Sequence, residues 1–209
     1  GRIVRYDMPF WKSHEIDSPD DVGMCEYYFR QRLITQWDKS DEDTTLAKDS
    51  IDLVVYDFDG VMTDNRVMVL QDGKEAVIAN RADGLGVTRI RELGIPQLIL
   101  STESNSVVAA RAAKLNLDVV QGCDNKKKAL ISYCEKHDYR RDRVVYVGND
   151  VNDIDAMKVV KYPVAPADAH PDVTKIAVMV TVASGGGGVV KELSERILDL
   201  IRVGKDGES

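Results

Sequence analysis

From Ile51 onward, short apolar segments rich in β-branched residues alternate with segments of helical periodicity, and this alternation restricts the fold more than any other feature of the sequence. The first apolar segment, IDLVVY (51–56), predicts a buried strand. Strands that alternate with helices form βαβ units with a mostly parallel sheet, and right-handed crossovers place the helices on both of its faces. The sequence therefore predicts an α/β fold with a Rossmann-like, doubly wound parallel sheet.

The predicted elements follow one another regularly along this part of the chain. Strands are expected at 51–56, 95–100, 118–121, 143–147, 162–164 and 178–182, and helices at 83–93, 105–115, 126–137, 153–160 and 189–202. Residues 66–79 predict a β-hairpin, because Asp72-Gly73 is a typical turn between two β-prone segments. The regular part of the chain is therefore expected to form one domain at 51–203, followed by a tail at 204–209.

The segment before Ile51 has a different character. Residues 1–37 predict an N-terminal arm with a short strand at 3–6 and a helix that begins near Ser18, since Ser18 is a fitting N-cap and Pro19 suits the first helical position. Residues 38–50 are polar and acidic without periodicity, and they predict a linker.

Composition excludes several classes of function. The chain has 28 Lys and Arg against 35 Asp and Glu, a formal net charge of −7, so we expect no nucleic-acid binding, which depends on neutralising phosphates. No apolar run approaches the roughly 18 residues of a membrane span, and no secretory signal is visible, so we expect a cytoplasmic protein without a membrane segment. The 3 cysteines and 3 histidines lack metal-ligand spacing, which argues against a disulfide framework or a zinc site.

Polar side chains follow several of the predicted strands at their carboxyl ends, where open parallel sheets bind ligands. Asp57 and Asp59 follow the first strand. Ser101, Thr102 and Glu103 follow the strand at 95–100, and Lys126 comes after the strand at 118–121. The strand at 143–147 is followed by Asn149, Asp150 and Asp153, which are expected to add further oxygen ligands. Taken singly, an Asp at a strand end is more often a turn former or a helix cap, so the functional hypothesis depends on the whole set.

The chemistry of these groups is compatible with phosphoryl transfer. Asp57 and Asp59 are close enough to repel each other unless a cation lies between them, and a site that offers only oxygen ligands favours Mg²⁺ over zinc. Ser101 and Lys126 supply a hydroxyl and a positive charge for phosphoryl oxygens. A carboxylate nucleophile that attacks phosphorus, with a second carboxylic acid that protonates the leaving oxygen, is a coherent mechanism for this set.

The segments VVYDFDGVMTD (54–64), LILSTE (98–103), QGCDNK (121–126) and VGNDVND (147–153) resemble the four motifs of the haloacid dehalogenase-like (HAD-like) phosphatase superfamily. Within it, the hairpin and the segment RADGLGVTRIRELGI (81–95) resemble the capless phosphatases of 3-deoxy-D-manno-octulosonate 8-phosphate and of nonulosonate 9-phosphates. The resemblance covers about residues 50–202. It implies a capless HAD-like fold with a β-hairpin flap and hydrolysis of a phosphorylated 2-keto-3-deoxy sugar acid in sialic acid-type sugar biosynthesis.

The resemblance also implies catalytic roles. Asp57 is similar to the nucleophile that becomes an aspartyl phosphate, and Asp59 is similar to the general acid and base, whose backbone carbonyl binds the metal. Ser101 and Lys126 match the two phosphate-binding positions.

The resemblance further implies a Mg²⁺ site and substrate contacts. Asp57 and Asp59 would bind the metal together with Asn149 or Asp150, because Asn149 stands where the family pattern carries Asp. Thr102, Glu103 and Asp83 are expected to contact the substrate, and Glu103 stands where the octulosonate enzymes carry Arg, so it is expected to select the sugar.

The N-terminal segment has a separate likeness. MPFWKSHEIDSPDDVGMCEYYFRQRLI (8–34) resembles the last strand and helix of an acylneuraminate cytidylyltransferase, which implies that the chain is the C-terminal part of a fused polypeptide. A chain that begins at Gly1 rather than Met fits that expectation. An ordinary N-terminal arm is the alternative.

The hairpin bears on assembly. In the resembling family, the hairpin of one subunit closes the site of its neighbour in a homotetramer, and the apolar Val67, Met68, Val69, Val77 and Ile78 suit such an interface. Packing of the hairpin on its own domain is the alternative. Two other functions stay open: a non-catalytic HAD-like domain that oligomerises a cytidylyltransferase, and a phosphomutase, which the short insertion disfavours because that reaction needs a cap to exclude water.

Overall fold

The computed structural model describes residues 51–206, with side chains up to residue 199. The predictions made for residues 1–50 and 207–209 lie outside the described residues. The described chain forms a parallel sheet with the strand order β5-β4-β1-β6-β7-β8. Its strands are β1 (Leu53–Tyr56), β4 (Gln97–Leu100), β5 (Asp118–Val120), β6 (Val144–Val147), β7 (Tyr162–Ala165) and β8 (Met179–Val180). Every neighbouring pair is parallel, which confirms the predicted fold class.

The helices connect these strands in the expected order. They are α1 (Ala82–Glu92), α2 (Ser106–Leu115), α3 (Lys126–His137), α4 (Ile154–Met157), α5 (Pro171–Thr174) and α6 (Val189–Asp206), with a 3₁₀ turn at Arg141–Arg143. Asn105 caps α2 by accepting a hydrogen bond from Val107 N, and Asn125 caps α3 by accepting one from Lys128 N. These caps start both helices just beyond the strand ends, which brings their first turns to the edge of the sheet that carries the motifs.

Two predicted elements differ from the structure in length. The helix expected at 153–160 ends at Met157, because Val159 N and Val160 N bond to carbonyls three residues back and tighten the chain into a turn. The strand expected at 178–182 is reduced to Met179–Val180. The short helix α5 was not predicted, although Pro171 at its start is a usual signal for one.

The strands β1, β4, β6 and β7 are buried along their whole length, as expected for a sheet covered on both faces. Their side chains form a core with residues of α3, which include Leu130 and Cys134. This packing makes the sheet edge a rigid base for the loops that follow each strand.

The hairpin lies outside this sheet. Strands β2 (Thr63–Val69) and β3 (Glu75–Ala79) pair only with each other and are antiparallel. The register shifts between Thr63 and Val67, where Asn65 has a positive φ of 63°. Most residues of the hairpin are exposed, so it projects from the domain next to the motif-bearing edge.

None of the helices in the described part of the chain combines the length and the hydropathy that a membrane span requires.

Candidate active site

A cavity of about 340 Å³ lies between the carboxyl edge of the sheet and the hairpin. Its lining comes from the loops after β1, β4 and β6, from the hairpin and from the start of α2: Asp57, Asp59, Asn65, Arg66, Val67, Glu75, Val77, Ser101, Thr102, Glu103, Asn105, Val107, Asn149, Asp150 and Asn152. The structure therefore brings most of the residues singled out from the sequence to one cavity.

Asp57 is buried at the end of β1. Its Oδ1 accepts a hydrogen bond of 2.7 Å from Phe58 N, and its Oδ2 lies 2.7 Å from Lys126 Nζ. Burial and, to a smaller extent, the charge of Asp153 raise the pKa of Asp57, the ammonium group of Lys126 lowers it, and the net pKa is about 8. Without a further cation, this carboxyl is therefore held close to protonation at neutral pH.

Lys126 is buried at the first position of α3, between two carboxylates. Its Nζ lies 2.7 Å from Asp57 Oδ2 and 2.8 Å from Asp153 Oδ1. Burial lowers the pKa of Lys126, but the two carboxylates outweigh that effect and the net pKa is raised. Lys126 is thus a fixed positive charge beside the cavity.

Asp153 is fully buried, and both of its oxygens bind protein donors. Besides Lys126, Oδ1 accepts a hydrogen bond of 2.8 Å from the hydroxyl of Tyr146, and Oδ2 accepts bonds of 3.0 and 3.2 Å from Asn149 N and Asp150 N. The expectation that Asp153 adds an oxygen ligand for a metal is therefore wrong. Its carboxylate instead orients Lys126 and fixes the loop after β6.

Asp59 is partly buried and faces the cavity. Its Oδ1 accepts a hydrogen bond of 3.2 Å from Thr63 Oγ1. Burial raises the pKa of Asp59, although the bond from Thr63 opposes this shift. A raised pKa makes this carboxyl better able to hold a proton that it can donate to a ligand in the cavity.

The amide of Asn149 lies between Asp57 and Asp59. With its Nδ2 turned towards them, Asn149 donates hydrogen bonds of 2.9 Å to the backbone carbonyl of Asp59 and 3.2 Å to Asp57 Oδ2. The side chain crosses over Gly60, where a Cβ would lie only 2.5 Å from Asn149 Cγ and where φ is +75°. A glycine is required at this position for both reasons.

These groups fit a hard divalent cation. The Asp57 carboxylate, the Asp59 carbonyl and the Asn149 amide converge, and oxygen donors of this kind are those that Mg²⁺ takes. The predicted alternative, Asp150, is exposed, and its Oδ1 accepts a 2.7 Å bond from Val151 N. Within residues 51–199, no three His, Cys, Asp or Glu side chains are grouped as a metal site, so the set depends on the carbonyl and the amide.

The loop after β4 supplies the other side of the cavity. Ser101 is buried, and its Oγ accepts a hydrogen bond of 3.1 Å from Glu103 N. Thr102 and Glu103 are exposed, and Glu103 Oε1 accepts bonds of 2.8 and 3.0 Å from the backbone of Ser104 and Asn105. The hydroxyl of Ser101 and the free oxygen of Glu103 thus remain available to a ligand.

Asp83 does not line this cavity. It is fully buried in α1, and its Oδ1 accepts hydrogen bonds of 3.2 and 3.3 Å from Val190 N and Lys191 N at the start of α6. Burial raises the pKa of Asp83 to about 6. Asp83 is therefore placed to cap a helix, and we do not retain it as a substrate contact.

The hairpin and the start of α2 contribute residues that the sequence did not single out. Arg66 and Glu75 line the cavity from the hairpin, and Asn105 Nδ2 donates a 2.8 Å hydrogen bond to Glu75 Oε2. This bond joins the flap to the body of the domain. Among these residues, only the N-cap position of Asn105 carried a signal in the sequence.

Comparison with known proteins agrees with this geometry. A family model for haloacid dehalogenase-like hydrolases matches residues 94–193. The 3-deoxy-D-manno-octulosonate 8-phosphate phosphatase KdsC of Escherichia coli K12 is 32% identical over 167 residues, which cover 79% of this chain and 89% of that protein. An N-acylneuraminate cytidylyltransferase of Oncorhynchus mykiss is 27% identical over 159 residues, which are 73% of this chain but 36% of that longer protein.

Solved structures share the fold. A HAD family hydrolase from Streptomyces avermitilis has a TM-score of 0.71 and 47% identity, covering 74% of this chain and 96% of that one. The 3-deoxy-D-manno-octulosonate 8-phosphate phosphatase of Moraxella catarrhalis, solved with a magnesium ion, a phosphate ion and a KDO molecule, has a TM-score of 0.71 and 25% identity, covering 78% and 95% of the two chains. Identity of this degree over most of both chains, on a common fold, means that the chain belongs to the haloacid dehalogenase-like hydrolases and is a phosphatase of the KdsC type.

Proposed function

We propose that the chain is a Mg²⁺-dependent phosphatase that hydrolyses a phosphorylated 2-keto-3-deoxy sugar acid through an aspartyl phosphate on Asp57. The observation that carries this proposal is that Asp57, Asp59 and Ser101 line one cavity, while Lys126 is bound to Asp57 directly behind its wall. A nucleophile, an acid and two groups for phosphoryl oxygens are the minimum set for this reaction.

The residues account for both half-reactions. The Asp57 carboxylate attacks phosphorus, the bond between phosphorus and the sugar oxygen breaks, and the Asp59 carboxyl gives its proton to the departing alkoxide. Asp59 then accepts a proton from a water molecule as that water attacks phosphorus, which releases inorganic phosphate and restores Asp57. Lys126 and Ser101 bind the phosphoryl oxygens throughout.

Asp57, the carbonyl of Asp59 and Asn149 would hold the cation. When bound there, the cation would lower the pKa of Asp57 from about 8 and would offset the repulsion between this carboxylate and an anionic substrate. The magnesium ion in the related Moraxella enzyme supports Mg²⁺.

The substrate we favour is a nonulosonate 9-phosphate, with an octulosonate 8-phosphate as the alternative. The exposed carboxylates of Glu75 and Glu103 line the cavity, and carboxylates accept hydrogen bonds from sugar hydroxyl groups. The similarity to a cytidylyltransferase of acylneuraminate supports the nonulosonate and a fusion with such a domain. The similarity to KdsC supports the octulosonate.

We also propose a homotetramer in which the hairpin covers a neighbouring site. Val67, Met68, Val69 and Ile78 are 52–74% exposed, which is high for large apolar side chains close together. The same surface favours the second candidate function, a non-catalytic domain that oligomerises a cytidylyltransferase. The cavity with its Asp57 and Lys126 pair favours the enzyme.

Phosphate release separates these candidates. The full chain, assayed with Mg²⁺ on nonulosonate 9-phosphate, octulosonate 8-phosphate and a generic phosphate ester, should release phosphate, and both chelator and Asp57→Asn should abolish the release. Asp172→Asn, at an exposed position of helix α5, is the matched control and should retain activity. An oligomer without activity on any of these esters would favour the non-catalytic alternative.

A further inference from the structure

Asn149 differs from a carboxylate in one respect that matters at this position. The two ends of its amide occupy nearly the same space, yet one is a hydrogen-bond donor and the other an acceptor. Rotation of the amide by half a turn therefore exchanges a donor for an acceptor without a change of shape. An Asp at residue 149 would present an oxygen in both positions.

The surroundings of the amide select its orientation when no cation is bound. Asp57 Oδ2 and the Asp59 carbonyl both face the inner end of the amide, at 3.2 and 2.9 Å. If Oδ1 were the inner atom, it would lie 2.9 Å from the carbonyl oxygen of Asp59, and neither of these two oxygens carries a proton. With Nδ2 inward, both oxygens gain a donor, and Asp57 is held by Asn149 as well as by Lys126.

We propose that the Asn149 amide is a two-position group that takes the place of the cation in the metal-free protein. Without a metal, Nδ2 is inward and binds Asp57 and the Asp59 carbonyl. With a metal, the amide is turned and Oδ1 is the inward ligand. This proposal rests on the metal dependence proposed above, and it adds that the site stays ordered when the metal leaves.

On this proposal, Asn149 weakens the binding of the cation and stabilises the protein when no cation is bound. Binding of a cation must break two hydrogen bonds of Asn149 and gains a neutral ligand, so Asn149→Asp should bind the cation more tightly. The same variant should make the metal-free protein less stable, because it places a carboxylate oxygen against the Asp59 carbonyl without a donor and adds a negative charge next to Asp57.

Thermal unfolding of the full chain tests this in EDTA and across a MgCl₂ titration, with calorimetric measurement of the Mg²⁺ dissociation constant. In EDTA, Asn149→Asp should unfold at a lower temperature than the unmodified chain, and its dissociation constant for Mg²⁺ should be smaller by about tenfold or more, a difference of about 1.4 kcal/mol. Asn116→Asp is the matched control, since it adds the same charge at an exposed position outside the cavity lining and should change neither value appreciably.

A second measurement is made on the unmodified chain, and variants serve only to assign its signals. The side-chain NH₂ protons of Asn149 should exchange slowly with solvent in EDTA and should lose that protection when Mg²⁺ is added. Their NMR signals are identified by their absence in Asn149→Asp or, if that variant does not fold, in Asn149→Ala. The proposal would be overturned if metal-free Asn149→Asp is as stable as the unmodified chain, or if Mg²⁺ does not change the protection of the NH₂ protons. The proposed function would remain supported in that case if the unmodified chain releases phosphate. If the unmodified chain releases no phosphate and binds no Mg²⁺, the proposed function fails first and the two-position amide fails with it.

Discussion

Replacement of Lys126 by Met should cost more stability than any change at an exposed lysine of the same helix. The Lys126 side chain is 1% exposed, and those of its partners Asp57 and Asp153 are 6% and 0% exposed. Met has a similar length and no charge, so Lys126→Met removes the cation but little of the packing. Two buried carboxylates would then face each other without the group that lies between them.

The size of the effect follows from this geometry. Removing one partner of a buried ion pair typically costs about 3–5 kcal/mol, because the other charge stays buried without compensation. For a chain of this length, that corresponds to a fall of roughly 6–20 °C in the unfolding temperature. The loss should be largest at alkaline pH and smaller at acid pH, because Asp57 already has a raised pKa and protonation relieves the repulsion.

Urea unfolding followed by circular dichroism, in EDTA at pH 5 and pH 8, measures this difference. Lys127→Met is the matched control, since Lys127 is the exposed neighbour in the first turn of α3, and it should change the free energy of unfolding by less than about 0.5 kcal/mol. A loss below about 1 kcal/mol in Lys126→Met at pH 8 would refute the view that Lys126 is needed to neutralise buried carboxylates.

Three further predictions concern the site, the loop behind it and the flap. In the metal-free protein, the pKa of Asp57 in the folded state is about 8, above its ordinary value of 3.8, so the free energy of unfolding should fall as the pH rises from about 4 to about 8. Asp57→Asn should flatten this pH dependence in urea unfolding. An unchanged slope would contradict the raised pKa of Asp57. Gly185→Ala should lower the free energy of unfolding by about 1–3 kcal/mol and lower kcat, because its Cβ would meet the Gly60 carbonyl and lie 3.0 Å from Thr63 O. Gly84→Ala is the control and should be tolerated, because its Cβ would lie 3.6 Å from Leu115. Equal behaviour of the two variants in unfolding and activity assays would contradict this prediction. Ile78→Lys should reduce the mass measured by light scattering, since Ile78 is 74% exposed on the proposed interface, and an unchanged oligomer would exclude the hairpin from it.

The sheet was predictable because its strands are encoded locally. IDLVVY and the later apolar segments have the composition of buried strands, and the caps at Asn105 and Asn125 mark the helix starts. Short elements were less predictable. Helix α4 ends early because of turn hydrogen bonds that leave no trace in composition.

The candidate site was predictable in its members but less so in their roles. Strand-end position brings Asp57, Ser101 and Lys126 together in any parallel sheet of this order. Asp153 has the same sequence character as Asp150, and only the fold shows that one is buried against Lys126 and the other is exposed. Asp83 looked like a site residue because of the motif around it, but the direction of its side chain depends on the packing of α1 against α6.

The sequence alone did not predict which residues of the hairpin face the cavity. Which hairpin residues face the cavity depends on the register shift between Thr63 and Val67, and a change of one residue in register reverses the facing of every side chain. Arg66 and Glu75 were therefore not identifiable in advance as cavity residues. The apolar character of Val67 and Ile78 was visible in the sequence, since it depends on composition alone.

The most direct test of the central claim is to find the phosphoryl group on the protein during turnover. In this experiment the full chain is mixed with substrate and Mg²⁺, quenched in acid within a turnover and analysed by peptide mass spectrometry. We expect an acid-stable, hydroxylamine-sensitive phosphoryl adduct on Asp57. Phosphate release at an undiminished rate with the adduct on another residue, or with no adduct formed at any time, would contradict the assignment of Asp57 as the nucleophile.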